Sequence, residues 1–594
     1  MTAYEYFGAF FGELASRGVG HAVCSPGSRS APLVLSAHAE GGLRCWVCLD
    51  ERSGGYFALG LAKARRGCVA LICTSGSAAA NYLPAVTEAF YDGVALVVLT
   101  ADRPPELRDR GAGQTIDQIG LYGGHVRWAA DLPVPEEVDP AHARFAAQRA
   151  VAAAVGPPGG PVHLNVPLRE PLEPAGDELN AGSGPAGAAP ARLEPAADPG
   201  EAAELARLVR SHERGVLAIG PTDLDKADAD AVKRLGVHAG WPIIADAASG
   251  LRTGNARGAT VVAAGQHLAR TPSFWETHRP EVVVRAGHPT ASRALREGLA
   301  NWGAAMWLVD PLDRWEEPTT VPAGRWRSPT GPLARGALAC LGAEVSEADA
   351  PRTQRGRPPD GARDRSAWAG SWRLAESTAQ RAIAATLQPA PLLEAPLARM
   401  LGAVLGPDTV LYASNSMPVR DLDAFLAPHP LAPRVVAHRG ANGIDGVVSS
   451  AAGMAAGTAA RLVLLTGDLA LLHDLGGLLG AARLGIDLTV VVANNGGGGI
   501  FSFLPVAAAV PAPVFDQFFD TPHRADLAAV VTGLGARHWR AEDEASLLAA
   551  LEAAGAAGGV AVVEVPVDTA ANVAQHRLVE KFVRDALART PHRE

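Results

Sequence analysis

Residues 467–495 read GDLALLHDLGGLLGAARLGIDLTVVVANN. An apolar run at 461–466 (RLVLLT) precedes the stretch, and LTVVVA at 488–493 lies near its end. The Leu/Ala pattern between the two predicts a helix, so the whole reads as a right-handed βαβ unit. Asp468 and Asn495 then both fall at the carboxyl ends of parallel strands, where ligands bind in such sheets. A carboxylate, an amide oxygen and the carbonyl of Gly497 two residues on suit a hard cation such as Mg²⁺. Such a cation usually also takes phosphate oxygens, and Gly496 to Gly499 leave the backbone bare enough for a diphosphate to approach.

The same rhythm runs outward from this unit. Short Val/Ile/Leu runs at 94–100, 214–220 and 281–287 alternate with helical patterns, which indicates parallel sheets covered on both faces. Two stretches break it. Residues 172–200 are rich in Ala, Gly and Pro, and residues 343–370 are polar, with TQRGRPPDGARDR at their centre; both read as linkers. The expected architecture is α/β, with three doubly wound parallel-sheet domains at 1–180, 195–345 and 385–590.

Composition narrows the classes. The 594 residues carry 53 Lys plus Arg against 62 Asp plus Glu, a net charge of −9, and 48% are hydrophobic. That excludes a mainly disordered chain and argues against a nucleic-acid partner. Six cysteines are too few for a disulfide scaffold, and the lone C-x-x-C at Cys45 and Cys48 lacks the second pair a zinc site needs. They read as reduced, buried thiols of a cytoplasmic protein. The start of the chain has acids and no basic segment, so no signal peptide is expected, and no apolar run is long enough to span a membrane.

The G-D-x…N-N spacing of 467–495 resembles the thiamine diphosphate-binding motif. In that family the Asp, the second Asn and a following carbonyl hold Mg²⁺ on the cofactor's diphosphate; here these are Asp468, Asn495 and Gly497, with Leu469 where a third Gly is usual. The family also needs a carboxylate at the far end of the cofactor, to hydrogen-bond the aminopyrimidine ring and promote deprotonation of the thiazolium. Glu51 stands in that position, at the end of CWVCLDE (45–51) and before an Ala/Gly-rich helix. By itself a Glu there is usually a solvated strand end; paired with the other motif it becomes a catalytic candidate. The resemblance implies a homodimer or a dimer of dimers, with the cofactor at the interface.

More specific motifs follow in order: CSPGSRSAPL (24–33), CTSGSAAANYLP (73–84), LTADRPPELRDRGAGQTID (99–117), ASNSMPVRDLD (413–423) and AHRGANGIDG (437–446). Together they closely resemble the 2-succinyl-5-enolpyruvyl-6-hydroxy-3-cyclohexene-1-carboxylate (SEPHCHC) synthase family of menaquinone biosynthesis. The resemblance implies decarboxylation of 2-oxoglutarate on thiamine diphosphate with Mg²⁺, or Mn²⁺ as a substitute. The succinyl-semialdehyde carbanion equivalent then adds in 1,4 fashion to isochorismate. Both substrates are dianions, and arginine forks bind carboxylates bidentately. By resemblance, Arg420, Arg439 and Ser416 hold the oxoglutarate-derived carboxylate, while Ser28, Arg29, Arg103 and Gln114 face isochorismate, Gln114 also serving in catalysis. Gly440 and Ser416 are expected near the cofactor. Arg293, in GHPTASRAL, stands where the family has a lysine facing isochorismate, and Gly113 replaces an Asn. Ile444 reads either as support for the cofactor rings or as core; Phe501 and Leu504 read equally as pocket wall or as core. His438 and His473 read as structural. Two other readings are open: a different 2-oxo acid decarboxylase, which SPGSRS and the arginine set do not fit, and a silent thiamine-fold binding module, which the joint presence of Glu51, Asp468 and Asn495 opposes.

Overall fold

The computed structural model describes residues 2–176, 196–254, 258–342, 365–388 and 391–589. Most of the two expected linkers lies outside the described residues. Where the second is described it is not a linker: a helix runs over Arg365–Thr386. Trp368 and Trp372 sit one turn apart on it and are buried in one aromatic cluster with Trp275 and Trp302.

Among the described residues eighteen strands form three six-stranded sheets, and all paired neighbours are parallel. The first holds β1 (His21–Cys24), β2 (Arg44–Val47), β3 (Val69–Cys73), β4 (Leu96–Asp102), β5 (Trp128–Asp131) and β6 (Val162–Pro167), in the order β2-β1-β3-β4-β6-β5. The central sheet holds β7 (Gly215–Ile219), β8 (Ile243–Ala245), β9 (Val261–Val262), β10 (Val282–Ala286), β11 (Ala305–Val309) and β12 (Gly324–Trp326). The third holds β13 (Thr409–Ala413), β14 (Arg434–Ala437), β15 (Arg461–Gly467), β16 (Leu488–Asn494), β17 (Arg537–Arg540) and β18 (Val560–Pro566). Its order, β14-β13-β15-β16-β18-β17, repeats that of the first sheet, whereas the central order, β12-β11-β10-β7-β8-β9, winds outward both ways from β7 and β10. The central strands are continuous apolar runs, every residue of β3 and β4 being buried, as expected where helices cover both faces.

The outer units pack directly on each other through two helices, Glu51–Arg65 and Val447–Gly457. The backbones come so close that glycine is required at the crossing. A Cβ at Gly60 would lie 1.9 Å from the Ser450 carbonyl oxygen, and one at Gly453 would lie 2.0 Å from that of Phe57. The Ser450 hydroxyl donates to the Tyr56 carbonyl at 3.0 Å. The central unit is pinned to the third by buried Arg252, which donates to the carbonyls of Ala245 (2.9 Å) and Leu426 (2.9 Å) and to Asp423 Oδ1 (2.6 Å). A buried cation is tolerated because its donors are satisfied. No helix among the described residues is long and apolar enough to cross a membrane. Cys24, Cys48, Cys68 and Cys73 are buried free thiols, whereas Cys340 is exposed.

Candidate active site

At the carboxyl edge of the third sheet, Asp468 opens a short helix directly after β15. Its carboxyl is buried, and burial pushes its pKa up. The Leu469 N–H donates to Oδ1 at 2.7 Å, and His523 Nε2 lies 3.1 Å from Oδ2. Asn495 follows β16, and its Oδ1 accepts from the Gly497 N–H at 3.1 Å. The glycine run is sterically enforced: a Cβ on Gly499 would fall 2.3 Å from Asn495 Nδ2, and one on Gly497 would fall 2.4 Å from the Asp520 carbonyl oxygen.

These groups line a cavity of ≈ 170 Å³ that also takes in Ser416, Met417, Ile444 and Phe501. One side offers a carboxylate, an amide and bare glycine backbone; the other is apolar. That donor set fits a hard cation with a diphosphate, and the apolar flank fits an attached ring system. Ile444 and Phe501 therefore belong to the wall. Leu504 is exposed and lies outside it. Gly440 is turned away as well, since its N–H donates to Glu88 Oε1 at 2.8 Å and a Cβ there would meet the Glu88 carbonyl at 2.6 Å.

Ser416 precedes the helix Met417–Phe425 with φ +70° and ψ −129°. Such backbone costs on the order of 1–3 kcal/mol in a non-glycine residue and persists where the surroundings hold it. Arg420, one turn on, donates to the Ser416 carbonyl. Arg439 donates to Asn415 Oδ1 at 2.8 Å, and Asn415 Nδ2 donates to the Gly443 carbonyl at 2.7 Å. The Arg439 Nε is buried without a protein partner. Burial lowers the pKa of both guanidiniums, the Arg439 charge lowers that of Arg420 further, and Arg296 acts on both. Three cations thus lie within electrostatic reach of one another, Arg420 on the helix whose first residues line the cavity. Arg293, one turn before Arg296, is exposed and paired with Glu297 at 2.6 Å.

The edge of the first sheet carries different groups. Glu51 opens its helix behind the Asp50 cap, whose side chain accepts from the Ser53 N–H at 3.2 Å. Burial raises the pKa of the Cys73 thiol at the end of β3, and the Glu51 charge raises it further, which places that carboxylate at the sheet edge. Arg103 follows β4; its N–H donates to Asp102 Oδ1 at 2.7 Å, and its guanidinium donates to Ser75 Oγ. Gln114, held at φ +57°, donates from Nε2 to the Ser75 carbonyl at 2.9 Å. Buried Arg29 donates to the Leu168 carbonyl and to Glu170 Oε1, both at 3.0 Å. Burial lowers the Arg103 pKa, and the facing charge of Arg29 lowers it further. Ser28 is exposed beside them.

Within one chain this cavity takes in no residue of the first edge among the described residues. The lining described above runs from Glu394 to Phe501. The helix that Glu51 opens meets the far end of the helix that Asp468 opens: Arg52 donates to the His473 carbonyl at 2.8 Å, and Ser53 Oγ lies 3.4 Å from Asp474 Oδ1. His438 is buried and stacked on Tyr56, its pKa lowered by burial, in keeping with a structural role.

A family model for the thiamine pyrophosphate enzyme N-terminal binding domain matches residues 5–121, and one for the C-terminal binding domain matches residues 428–565. The first range contains Glu51, Arg103 and Gln114; the second contains Asp468 and Asn495. The chain is 42% identical over 590 residues to a SEPHCHC synthase of Myxococcus xanthus (strain DK1622), covering 96% of this chain and 95% of that one. It is 41% identical to one from Chloroflexus aurantiacus (97% and 95% covered) and 40% identical to one from Geobacillus kaustophilus (98% of each). The chain belongs to the SEPHCHC synthase family. It is a thiamine diphosphate-dependent enzyme of the transferase type. A solved structure from Mycobacterium smegmatis, described as a thiamin diphosphate-dependent enzyme, superposes with a TM-score of 0.67 at 19% identity, covering 96% of this chain and 99% of that one; the likeness is one of fold.

In this synthase-family chain the structure brings forward residues that the motifs did not single out. Arg296 faces the two expected arginines, Asn415 ties together the loops that carry them, and His523 meets Asp468. Asn415 sits inside SNSMP and Arg296 one turn after Arg293, so local signals existed. His523 has none, because it reaches Asp468 only through the fold.

Proposed function

We propose that the chain decarboxylates 2-oxoglutarate and adds the resulting four-carbon unit to the conjugated alkene of isochorismate, giving SEPHCHC and CO₂ for menaquinone or phylloquinone synthesis in the cytoplasm. The observation that carries this reading is the grouping of Arg439 and Arg296 around Arg420, whose helix lines a cavity that offers a carboxylate, an amide and bare glycine backbone. A site for a neutral or singly charged 2-oxo acid would have no use for three neighbouring, half-buried guanidiniums.

Asp468, Asn495 and the Gly497 carbonyl would hold Mg²⁺, with Mn²⁺ as a substitute, and Ile444 would brace the cofactor from below. When bound, thiamine diphosphate supplies the electron sink that decarboxylation of a 2-oxo acid requires. Arg420 and Arg439 anchor the 2-oxo acid's carboxylates, and Ser416, on strained backbone, lines the cavity one turn before Arg420. Ser28, Arg29 and Arg103 anchor isochorismate, and the Gln114 amide donates to an oxygen on the reacting partner. Glu51 accepts a hydrogen bond at the cofactor's far end and so controls a proton there.

Because the cavity lining takes in no first-edge residue of the same chain, the working site pairs the first-sheet edge of one protomer with the third-sheet edge of another, as a homodimer or a dimer of dimers. Arg293, exposed in one chain, is available to such a shared cleft. The test is to incubate the protein with Mg²⁺, thiamine diphosphate, 2-oxoglutarate and isochorismate and follow isochorismate loss and CO₂ release. Consumption that needs all four components supports the reading. Turnover of pyruvate with no need for isochorismate contradicts it.

A further inference from the structure

At the wall of the cavity, four segments meet at a buried group of side chains, Glu394 and Asp421 lining the cavity itself, that the proposed reaction leaves unused. Glu394 opens the helix Glu394–Val404, and Asp421 lies on the helix Met417–Phe425, next to Arg420. Asn572 and His576 lie one turn apart on the last helix, Thr569–Ala588. Glu394 Oε1 accepts from Asn495 Nδ2 at 3.4 Å and Oε2 accepts from Asn572 Nδ2, while the Glu394 N–H donates to Asn572 Oδ1 at 3.3 Å. His576 Nε2 lies 2.8 Å from Asp421 Oδ1, and its Nδ1 lies 2.8 Å from the Asn572 carbonyl oxygen. The Phe425 and Phe503 rings pack edge-on against the imidazole, with centroids 5.1 and 5.0 Å away. Phe503 belongs to the same turn as Phe501 of the cavity wall.

Ligand atoms of Glu394, Asp421 and His576 all lie within 4.8 Å of one another, a spacing that could suit a cation. The partners argue otherwise. Both Glu394 oxygens accept from amide N–H groups, and both imidazole nitrogens are engaged. A carbonyl can only accept, so Nδ1 must carry its proton, and Nε2 is taken up by Asp421 Oδ1. What remains is a hydrogen-bonded network in which each bond fixes the next.

Two of its bonds reach the site. An Asn amide can present either its oxygen or its nitrogen to a cavity; donation from Nδ2 to Glu394 commits the nitrogen and leaves Oδ1 for the other side. The helix Met417–Phe425 is short and starts at strained Ser416 without a side-chain cap, so its own hydrogen bonds do not hold it. The Asp421–His576 bond ties it to the last helix. We propose that Glu394, Asp421, Asn572 and His576 are positioning residues through which the last helix sets the Asn495 amide for the cation and the Arg420 helix for the 2-oxo acid. The inference rests on the reading of Asn495 and Arg420 given above.

The two arms are separable. Glu394→Ala should weaken binding of Mg²⁺ with thiamine diphosphate, titrated calorimetrically into the cofactor-free protein, by ~10–100-fold, the usual cost of losing a group that orients a metal ligand. Glu394→Gln, which keeps an oxygen for the Asn495 N–H, should recover most of that loss. His576→Ala should raise the KM for 2-oxoglutarate about tenfold, roughly the worth of one charge-assisted hydrogen bond, with cofactor affinity within about twofold of the wild type; His576→Gln should recover part of it. Should Glu394→Ala fail to fold, Asn572→Ala, which leaves Glu394 in place without its anchor, carries the same expectation of weaker cofactor binding. Variants that lose only melting temperature and active fraction, with cofactor affinity and KM unchanged, would show a merely structural network and overturn the proposal. A wild-type protein that binds no Mg²⁺ with thiamine diphosphate would instead sink the reading of the site, and this inference with it.

Discussion

The first and third sheets share one strand order, yet their carboxyl edges are built for different work. The third edge draws its proposed cation ligands and its glycine run from one stretch of chain, 467–499, so that part of the site is almost continuous in sequence. The first edge gathers Arg29, Glu51 and the pair Arg103 and Gln114 from three separate strand connections, with Ser75 from a fourth holding that pair. Topology thus decides where a ligand can sit, and the loops decide which. The difference accords with the proposed roles, a phosphate–metal group for the third edge and, for the first, isochorismate and the cofactor's far end.

The largest expected effect falls on the first edge. Glu51→Gln should lower turnover by roughly 100-fold or more, the scale of a lost proton-transfer partner. Calorimetric affinity for thiamine diphosphate with Mg²⁺ should stay close to that of the wild type. A variant with near-wild-type turnover would strip the first edge of its catalytic acid. On the third edge, Asp468→Ala should reverse that pattern, with cofactor affinity falling on the order of 100-fold because a hard cation loses an anionic ligand. Unchanged affinity would move the cation elsewhere.

A finer comparison separates the substrates. Losing one charge-assisted hydrogen bond costs ~1.5–3 kcal/mol, about tenfold to a hundredfold in apparent affinity. Arg439→Ala should therefore raise the KM for 2-oxoglutarate more than that for isochorismate, and Arg103→Ala should do the reverse. Steady-state kinetics with each substrate varied in turn reads the split. Equal damage to both substrates in both variants would erase the division between the edges.

The smallest effects are on stability. His163, on β6 of the first sheet, lies 2.8 Å from the Thr100 hydroxyl, and burial lowers its pKa from 6.5 to about 4. The unfolded chain takes a proton below pH 6.5 while the folded one does not, so stability from this group is complete above 6.5 and lost as pH falls toward 4. Asp423, where the third unit meets the central one, is pushed from 3.8 up to about 7, by burial first and by Asp246 second. The folded chain keeps that proton while the unfolded one releases it, so stability falls as pH rises from 3.8 to about 7 and then levels. Each slope is at most ~1.4 kcal/mol per pH unit. Between pH 4 and 6.5 the two oppose. In that window melting temperatures of His163→Gln should fall more steeply with rising pH than those of the wild type, and those of Asp423→Asn should rise more steeply. Parallel curves for all three proteins would mean that neither group is shifted as described.

Sequence made the third edge legible because its ligands are local. The runs at 461–466 and 488–493 became β15 and β16, and Asp468, Asn495 and Gly497 came together as their spacing required. Glu51, Arg29 and Arg103 came forward only through motif resemblance, since no spacing rule links three separate strand connections. Leu504 and Gly440 show the limit of reading positions from motifs: one turns to solvent and the other spends its N–H on Glu88. The Glu394–Asp421–Asn572–His576 network was invisible in sequence, because its members lie on three helices as much as 182 residues apart, His576 minus Glu394, and carry no local pattern. The helix over Arg365–Thr386 was hidden for a different reason: its two tryptophans sit at the edge of a polar stretch whose composition dominates any window.

The central claim is that one catalytic centre needs the first edge of one protomer and the third edge of another. Complementation between two inactive variants tests it most directly. Glu51→Gln and Asp468→Ala, differently tagged and co-expressed, should each be inactive alone. In a mixed dimer one centre carries both defects and the other carries neither, so random assembly should restore about a quarter of wild-type activity, with the activity following the doubly tagged species. Mixed dimers that form yet remain as inactive as either parent would place both edges of the centre within a single chain and contradict the account.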